Sequence, residues 1–241
     1  MSRYAAWAVH AYTASGAVLA LLMVHLAYEG RVEAVLWLFL VAMVVDGTDG
    51  FLARRLRVKE VVPEIDGALL DNIVDYLTYV FAPMILLWST GRLPDGAWGG
   101  VVAAVPVLVS CYQFTRSDAK GPGDDHYFLG FPSYWNVVAF YVVVLDLAPV
   151  ATTVLLMVLA VLVFVPVRYV YPSRTATLWR LNNALAAAWL VAYGVLTALL
   201  PDPPTALIAV SLVYVGYYLG LSVWLTWHGR TRARTAPVLP A

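Results

Sequence analysis

Residues 46–54 read DGTDGFLAR and residues 67–75 read GALLDNIVD, with twelve residues between Arg54 and Gly67. The first segment closes an apolar run that starts near residue 32. The second opens another that continues to about residue 89. A run of about twenty apolar residues is what crossing a ~30 Å hydrocarbon layer requires. Four aspartates, Asp46, Asp49, Asp71 and Asp75, therefore sit at the adjoining ends of two membrane-crossing helices. Ionised groups at that depth are costly to bury and mark functional sites.

The rest of the chain agrees with a membrane setting. Of its 241 residues 62% are hydrophobic and only 12% charged, and the mean hydropathy is +0.77. Charges, prolines and glycines divide it into apolar stretches near 5–28, 32–53, 67–89, 97–115, 133–148, 150–171, 178–200 and 205–227, the fifth being short. This predicts an all-α, polytopic membrane helical bundle of about eight transmembrane helices; no alternating pattern suggests a barrel. A single integral-membrane domain is expected over 1–228, followed by a disordered basic tail over 229–241, with 116–131 the longest polar connection. The first segment lacks a small-residue cleavage site and reads as a retained helix. A net charge of zero gives no pointer to nucleic acid, and the lone Cys111 excludes an intrachain disulfide or a cysteine metal site.

Eight crossings put both termini on one side. Thirteen of the fifteen Lys and Arg residues fall on that side, and only Arg31 and Arg92 on the other. By the positive-inside rule, that side is the cytoplasm. The aspartates then lie one to two turns below the cytoplasmic surface, at ~1.5 Å per residue.

Asp46 and Asp49 are three residues apart and share a helix face, while Gly67, Asp71 and Asp75 are spaced by four and form a stripe. If the two faces meet, four carboxylates converge, and they stay ionised only if cations compensate them. Two divalent ions would balance a formal charge of minus four, and carboxylate-only ligation favours Mg²⁺ or Mn²⁺. A two-metal site suits displacement at phosphorus. Gly50 and Gly67 allow a pyrophosphate to approach the backbone, Ala53 leaves space on the same surface, and the planar fork of Arg54 suits a phosphate oxygen. Asp66, beside Gly67, has no evident role. His10, His25, His126 and His228 are scattered and read as interfacial or packing residues.

The eight spaced positions from Asp46 to Asp75 would arise by chance in on the order of 10⁻⁸ sequences of average composition. They resemble the signature of the CDP-alcohol phosphotransferases, integral-membrane enzymes of phospholipid synthesis, and all eight match. The resemblance implies that Asp46, Asp49 and Asp71 hold metal and that Asp75 both contributes to the metal site and deprotonates the alcohol. The twelve-residue interval resembles the bacterial branch of that family that makes phosphatidylcholine. Val9–Gly16 (VHAYTASG), RSDAK, Phe128–Asn136 (FLGFPSYWN) and Tyr171–Thr175 (YPSRT) are similar to that branch too. The implied reaction joins CDP-diacylglycerol to choline, giving phosphatidylcholine and CMP, in the cytoplasmic (inner) membrane of a bacterium. The resemblance also implies a homodimer.

A quaternary ammonium donates no strong hydrogen bond and is best held by aromatic faces. Tyr79 continues the Asp71–Asp75 stripe, and Tyr134 and Trp135 open the fifth span on the cytoplasmic side, so these three are the candidate choline residues. Inositol, serine or glycerol phosphate are the alternative alcohols; a phosphate-bearing one would call for extra Lys or Arg beside the site. An ion-coupled transporter would also carry intramembrane acids, but often with inverted repeats and broken helices. A non-catalytic scaffold leaves the four aspartates unexplained.

Overall fold

The structure, a computed structural model, describes residues 2–116, 118, 126–172 and 174–235, with side chains as far as residue 228. Its long helices are α1 (Arg3–Tyr28), α2 (Val32–Arg55), α4 (Gly67–Ser89), α5 (Ala97–Thr115), α8 (Trp179–Ala198) and α9 (Thr205–Thr235). Each of these contains a segment long and apolar enough to span a bilayer. A one-turn helix, α3 (Val58–Val61), lies in the connection between α2 and α4.

The fifth and sixth predicted spans are shorter than expected. They form α6 (Trp135–Val144) and α7 (Pro149–Phe164), of 10 and 16 residues. At ~1.5 Å per residue α6 covers only about 15 Å. The irregular backbone before it is protein-covered, since Phe131, Pro132 and Ser133 are buried. Such backbone is tolerated at membrane depth only when enclosed in this way. The residues after Phe164 leave the helix and form a strand, β2 (Arg168–Val170), paired antiparallel with β1 (Tyr127–Leu129). This two-stranded ribbon was not expected from the apolar pattern. It closes the α6–α7 hairpin at one end, while Arg92 pairs with Asp146 at the other.

The hairpin thus leaves and returns on the side of the ribbon. Another correction concerns the tail: α9 runs to Thr235, so its first residues are helical. Residues 236–241, Lys120, most of the RSDAK segment and Ser173 of YPSRT lie outside the described residues.

Two features place the core. Almost every residue of α6 is buried, and the Phe140 ring stacks on Tyr193 of α8 at 3.8 Å between centroids. The Tyr193 hydroxyl donates to the Leu36 carbonyl (3.1 Å), tying α8 to α2. By contrast Val18, Leu21, Val154, Val161, Val191 and Val213 are exposed on the outside of their helices. Exposed branched residues on a bundle with a polar interior site are what lipid contact requires.

Candidate active site

Helices α1, α2 and α4 build the site. Gly16 lets α1 lie against α4: a Cβ there would fall 2.4 Å from Cγ1 of Val74. About one turn earlier on α1, the Thr13 hydroxyl donates to Oδ2 of Asp49 on α2 at 2.7 Å in a buried setting. Across the helix pair, one carboxylate oxygen each from Asp46, Asp49 and Asp71 lies within 4.8 Å of the others. Asp75 is outside that triplet but lines the same small cavity, together with Thr13 and Thr78. The predicted convergence of the two aspartate faces is therefore present, with three carboxylates tightly grouped and the fourth beside them.

The cavity among these groups is about 10 Å³, the room taken by a single water-sized sphere. A donor set of carboxylate oxygens, with hydroxyls behind them and no imidazole or thiol in the triplet, fits a hard divalent cation. Asp49 is 5% exposed, and a carboxylate so enclosed needs compensating positive charge.

Tyr79 is placed differently from its sequence expectation. The helix does not stay α-helical beyond Asp75: Tyr76–Phe81 forms a π-helical turn. This rotates Tyr79 off the stripe and aims its hydroxyl at Asp46, to which it donates at 2.7 Å. Such single π-turns occur often at functional sites. Tyr79 thus acts directly on an aspartate, with its ring 5.9 Å from that of Tyr134.

The aspartates open into a cleft of about 1530 Å³. Gly50, Ala53, Arg54 and Gly67 line it, so the four predicted nucleotide-side residues share one surface. The space left by the missing Gly67 side chain is taken by His10, whose Cε1 would lie 3.2 Å from a Cβ there. Asp66 now has a role: it caps α4, its Oδ1 accepting from the backbone N–H groups of Ala68 (3.0 Å) and Leu69 (3.1 Å). Tyr134 lines the cleft. Trp135 does not: it is fully buried, packs edge-on against Phe131 and donates its indole N–H to Ser110 (2.8 Å). Adjacent residues at a helix start point about 100° apart, and here Tyr134 takes the cleft side while Trp135 turns into the core. Trp135 anchors α6 to α5, and its candidacy as a choline residue is withdrawn.

Sequence reasoning named Tyr134 of the far aromatic wall but missed Thr13, His10 and the wall's other rings, Tyr169, Tyr171 and Tyr218. Thr13 and His10 lie inside the VHAYTASG segment, three residues apart, and their i, i+3 spacing from Gly16 was the available signal. The FLGFPSYWN and YPSRT segments overlap or adjoin the two strands, but nothing in them marked a pairing.

Comparison with known proteins accords with this geometry. The profile of the CDP-alcohol phosphatidyltransferase family matches residues 10–233, and the chain belongs to that family. More particularly, it is 41% identical to the phosphatidylcholine synthase of Legionella pneumophila over 96% of this chain and 92% of that one. It is 38% identical to the phosphatidylcholine synthase of Pseudomonas aeruginosa, over 93% and 94% of the two chains. The phosphatidylcholine synthase of Rhizobium meliloti is 35% identical over 89% and 87%.

Proposed function

We propose that this chain is a phosphatidylcholine synthase that transfers the phosphatidyl group of CDP-diacylglycerol to choline, releasing CMP. The observation that carries the reading is the convergence of Asp46, Asp49 and Asp71 within 4.8 Å beside a cleft of about 1530 Å³ that Gly50, Ala53, Arg54 and Gly67 also line. In this reading Asp46, Asp49 and Asp71, with Asp75 beside them, hold Mn²⁺ or Mg²⁺, two ions balancing the four carboxylates. When bound, the metal stabilises charge on the phosphoryl oxygens and the leaving group.

The chain's own residues then divide the work. Gly50, Ala53, Arg54 and Gly67 receive the nucleotide diphosphate. Thr13 and Tyr79 fix the rotamers of Asp49 and Asp46 through their hydrogen bonds. Asp75 accepts the hydroxyl proton of choline, and the freed oxygen forms a bond to the phosphorus that carries diacylglycerol. The bond from that phosphorus to the CMP oxygen breaks, CMP leaves with the electron pair, and Asp75 returns its proton to water. A positioned base of this kind accelerates such a step by about 10²–10⁴-fold.

The site faces the cytoplasm in this reading, with both termini on that side of the cytoplasmic membrane. Arg3 and Glu64 pair near the α2–α4 connection, far from the Arg92–Asp146 pair, in keeping with two opposite membrane faces. The test is direct: purified protein, labelled choline and CDP-diacylglycerol, with Mn²⁺ or with EDTA. The expected products are phosphatidylcholine and CMP in one-to-one ratio, only with metal. Transfer to inositol or serine instead of choline would reassign the alcohol.

A further inference from the structure

The cleft wall facing the aspartates is built from chain far downstream of them. The β-ribbon carries Tyr169, and Tyr171 follows it directly; α9 carries Tyr218; the turn into α6 carries Tyr134, and all four line the cleft. The rings touch in series. Tyr134 lies 6.4 Å from Tyr218 at 52°, Tyr218 lies 6.2 Å from Tyr169, and Phe128 stacks on Tyr171 at 4.5 Å. Phe128 also meets Tyr134 edge-on at 6.1 Å, which joins the two groups of rings.

This wall is held rigidly. The Arg168 and Val170 backbone N–H groups donate to Thr226 (2.7 Å) and Ser222 (3.1 Å) of α9. The Tyr171 N–H donates to Thr175 (2.8 Å), whose hydroxyl donates to the His126 carbonyl (2.7 Å). The wall shares the cleft with Asp46, Asp49 and Asp71, and Tyr79, which donates to Asp46, lies 5.9 Å ring to ring from Tyr134. The hydroxyl of Tyr218 is buried without a hydrogen-bond partner. A quaternary ammonium needs no hydrogen bond from it, so Tyr218 contributes its ring face rather than its oxygen.

We propose that Tyr134, Tyr171 and Tyr218 form the seat for the quaternary ammonium of the alcohol substrate, with its hydroxyl directed at Asp75. The proposal rests on the choline reading above and adds the residues that select the alcohol. Tilted rings at 6.4 Å form adjoining walls, so the cation sits in the corner they make with its methyl groups against π faces. Those faces carry negative potential and attract a cation without demanding a hydrogen bond from it. The aspartates beyond add a negative field from the same side. The Arg174 guanidinium lies over the Tyr171 ring at 5.8 Å, so in this proposal the substrate cation takes its place there and Arg174 moves aside.

The experiment compares choline with 3,3-dimethylbutanol, its neutral isostere of nearly the same shape, as substrate and competitive inhibitor. The native enzyme should prefer choline by at least about tenfold, the range of a desolvated cation–π contact. Tyr134→Leu, Tyr171→Leu and Tyr218→Leu should each raise the choline KM about tenfold, leave the isostere inhibition constant within twofold, and hold the CDP-diacylglycerol KM steady. Tyr171→Phe and Tyr218→Phe keep the π face and should change the choline KM less than threefold. If a leucine variant does not fold, the native preference still decides, because a native preference below twofold overturns the proposal. A native enzyme that prefers choline, with leucine variants that retain the whole preference, overturns the seat but leaves the activity standing. No transfer to choline at all overturns the activity reading itself.

Discussion

Tyr79→Phe separates a residue that steadies the metal site from one that contacts choline. The change deletes one hydroxyl, which donates to Asp46 at 2.7 Å, and leaves the ring that packs 5.9 Å from Tyr134. A hydrogen bond to a charged acceptor contributes about 1.5–3 kcal/mol. Tyr79 is 7% exposed, so water cannot readily replace the lost donor. At about 1.4 kcal/mol per decade that corresponds to a weakening of metal binding by roughly 10- to 150-fold. The known penalty for removing groups that orient a metal's ligands, about 10–100-fold, falls in the same range. The assay is initial rate against buffered free Mn²⁺, with CDP-diacylglycerol and choline both saturating. The half-saturating Mn²⁺ should rise by one to two decades while the choline KM stays within twofold. Thr13→Val, which removes the 2.7 Å bond to Asp49, should behave alike. An unchanged Mn²⁺ curve together with a tenfold rise in choline KM would refute the assignment and restore Tyr79 to the role its position in the sequence suggested.

Three further outcomes follow from the site. Activity should vanish in EDTA and return with Mn²⁺ or Mg²⁺, and Asp71→Asn should lower turnover by orders of magnitude at any metal concentration; full activity in chelator would remove the metal from the mechanism. Asp75→Asn should keep CDP-diacylglycerol binding, measured by equilibrium dialysis, while losing nearly all transfer to choline, because a neutral amide cannot take the proton; normal transfer would mean that another group activates the alcohol. A cysteine placed at Arg57, in a Cys111→Ser background, should resist membrane-impermeant maleimide added to intact spheroplasts and react once the membrane is opened; efficient labelling from outside would invert the topology.

The half of the molecule that was legible in advance is the half whose contacts are local or nearly so. Asp46 and Asp49, three apart on one helix, and Gly67, Asp71 and Asp75, four apart on the next, declare their faces through helical periodicity alone. Short connections place consecutive helices side by side, so the meeting of those faces follows. The ribbon was hidden for the opposite reason. Each strand has three residues, too few for an alternating pattern, and pairing joins residues 127–129 to 168–170 across two intervening helices. The π-turn was hidden too: YLTYVF reads as ordinary helix, and the extra residue in the turn shows only in where Tyr79 ends up. Trp135 failed as a candidate because sequence places it at the cytoplasmic head of α6 but does not say which way round the helix faces.

These differences divide the site by origin. Everything proposed to handle phosphate and proton comes from α1, α2 and α4, within the first 79 residues and dominated by carboxylates with short hydrogen bonds behind them. Everything proposed to choose the alcohol comes from the ribbon, the entry to α6 and α9, and consists of uncharged rings. Chemistry at phosphorus tolerates little displacement, since a shift of about 1 Å in a reacting group can lower the rate 10²-fold. A cation held by π faces is far less demanding of position, because the attraction is spread over a ring. The phosphate half therefore has to be fixed by close contacts such as Gly16 on Val74. The alcohol half can be replaced wall by wall without disturbing it. On this argument, exchanging Tyr171 and Tyr218 for residues suited to a different alcohol should alter substrate choice while the Mn²⁺ dependence and CDP-diacylglycerol KM remain those of the native protein. A joint collapse of all three would mean that the two halves are mechanically coupled through α4 and that no such division exists.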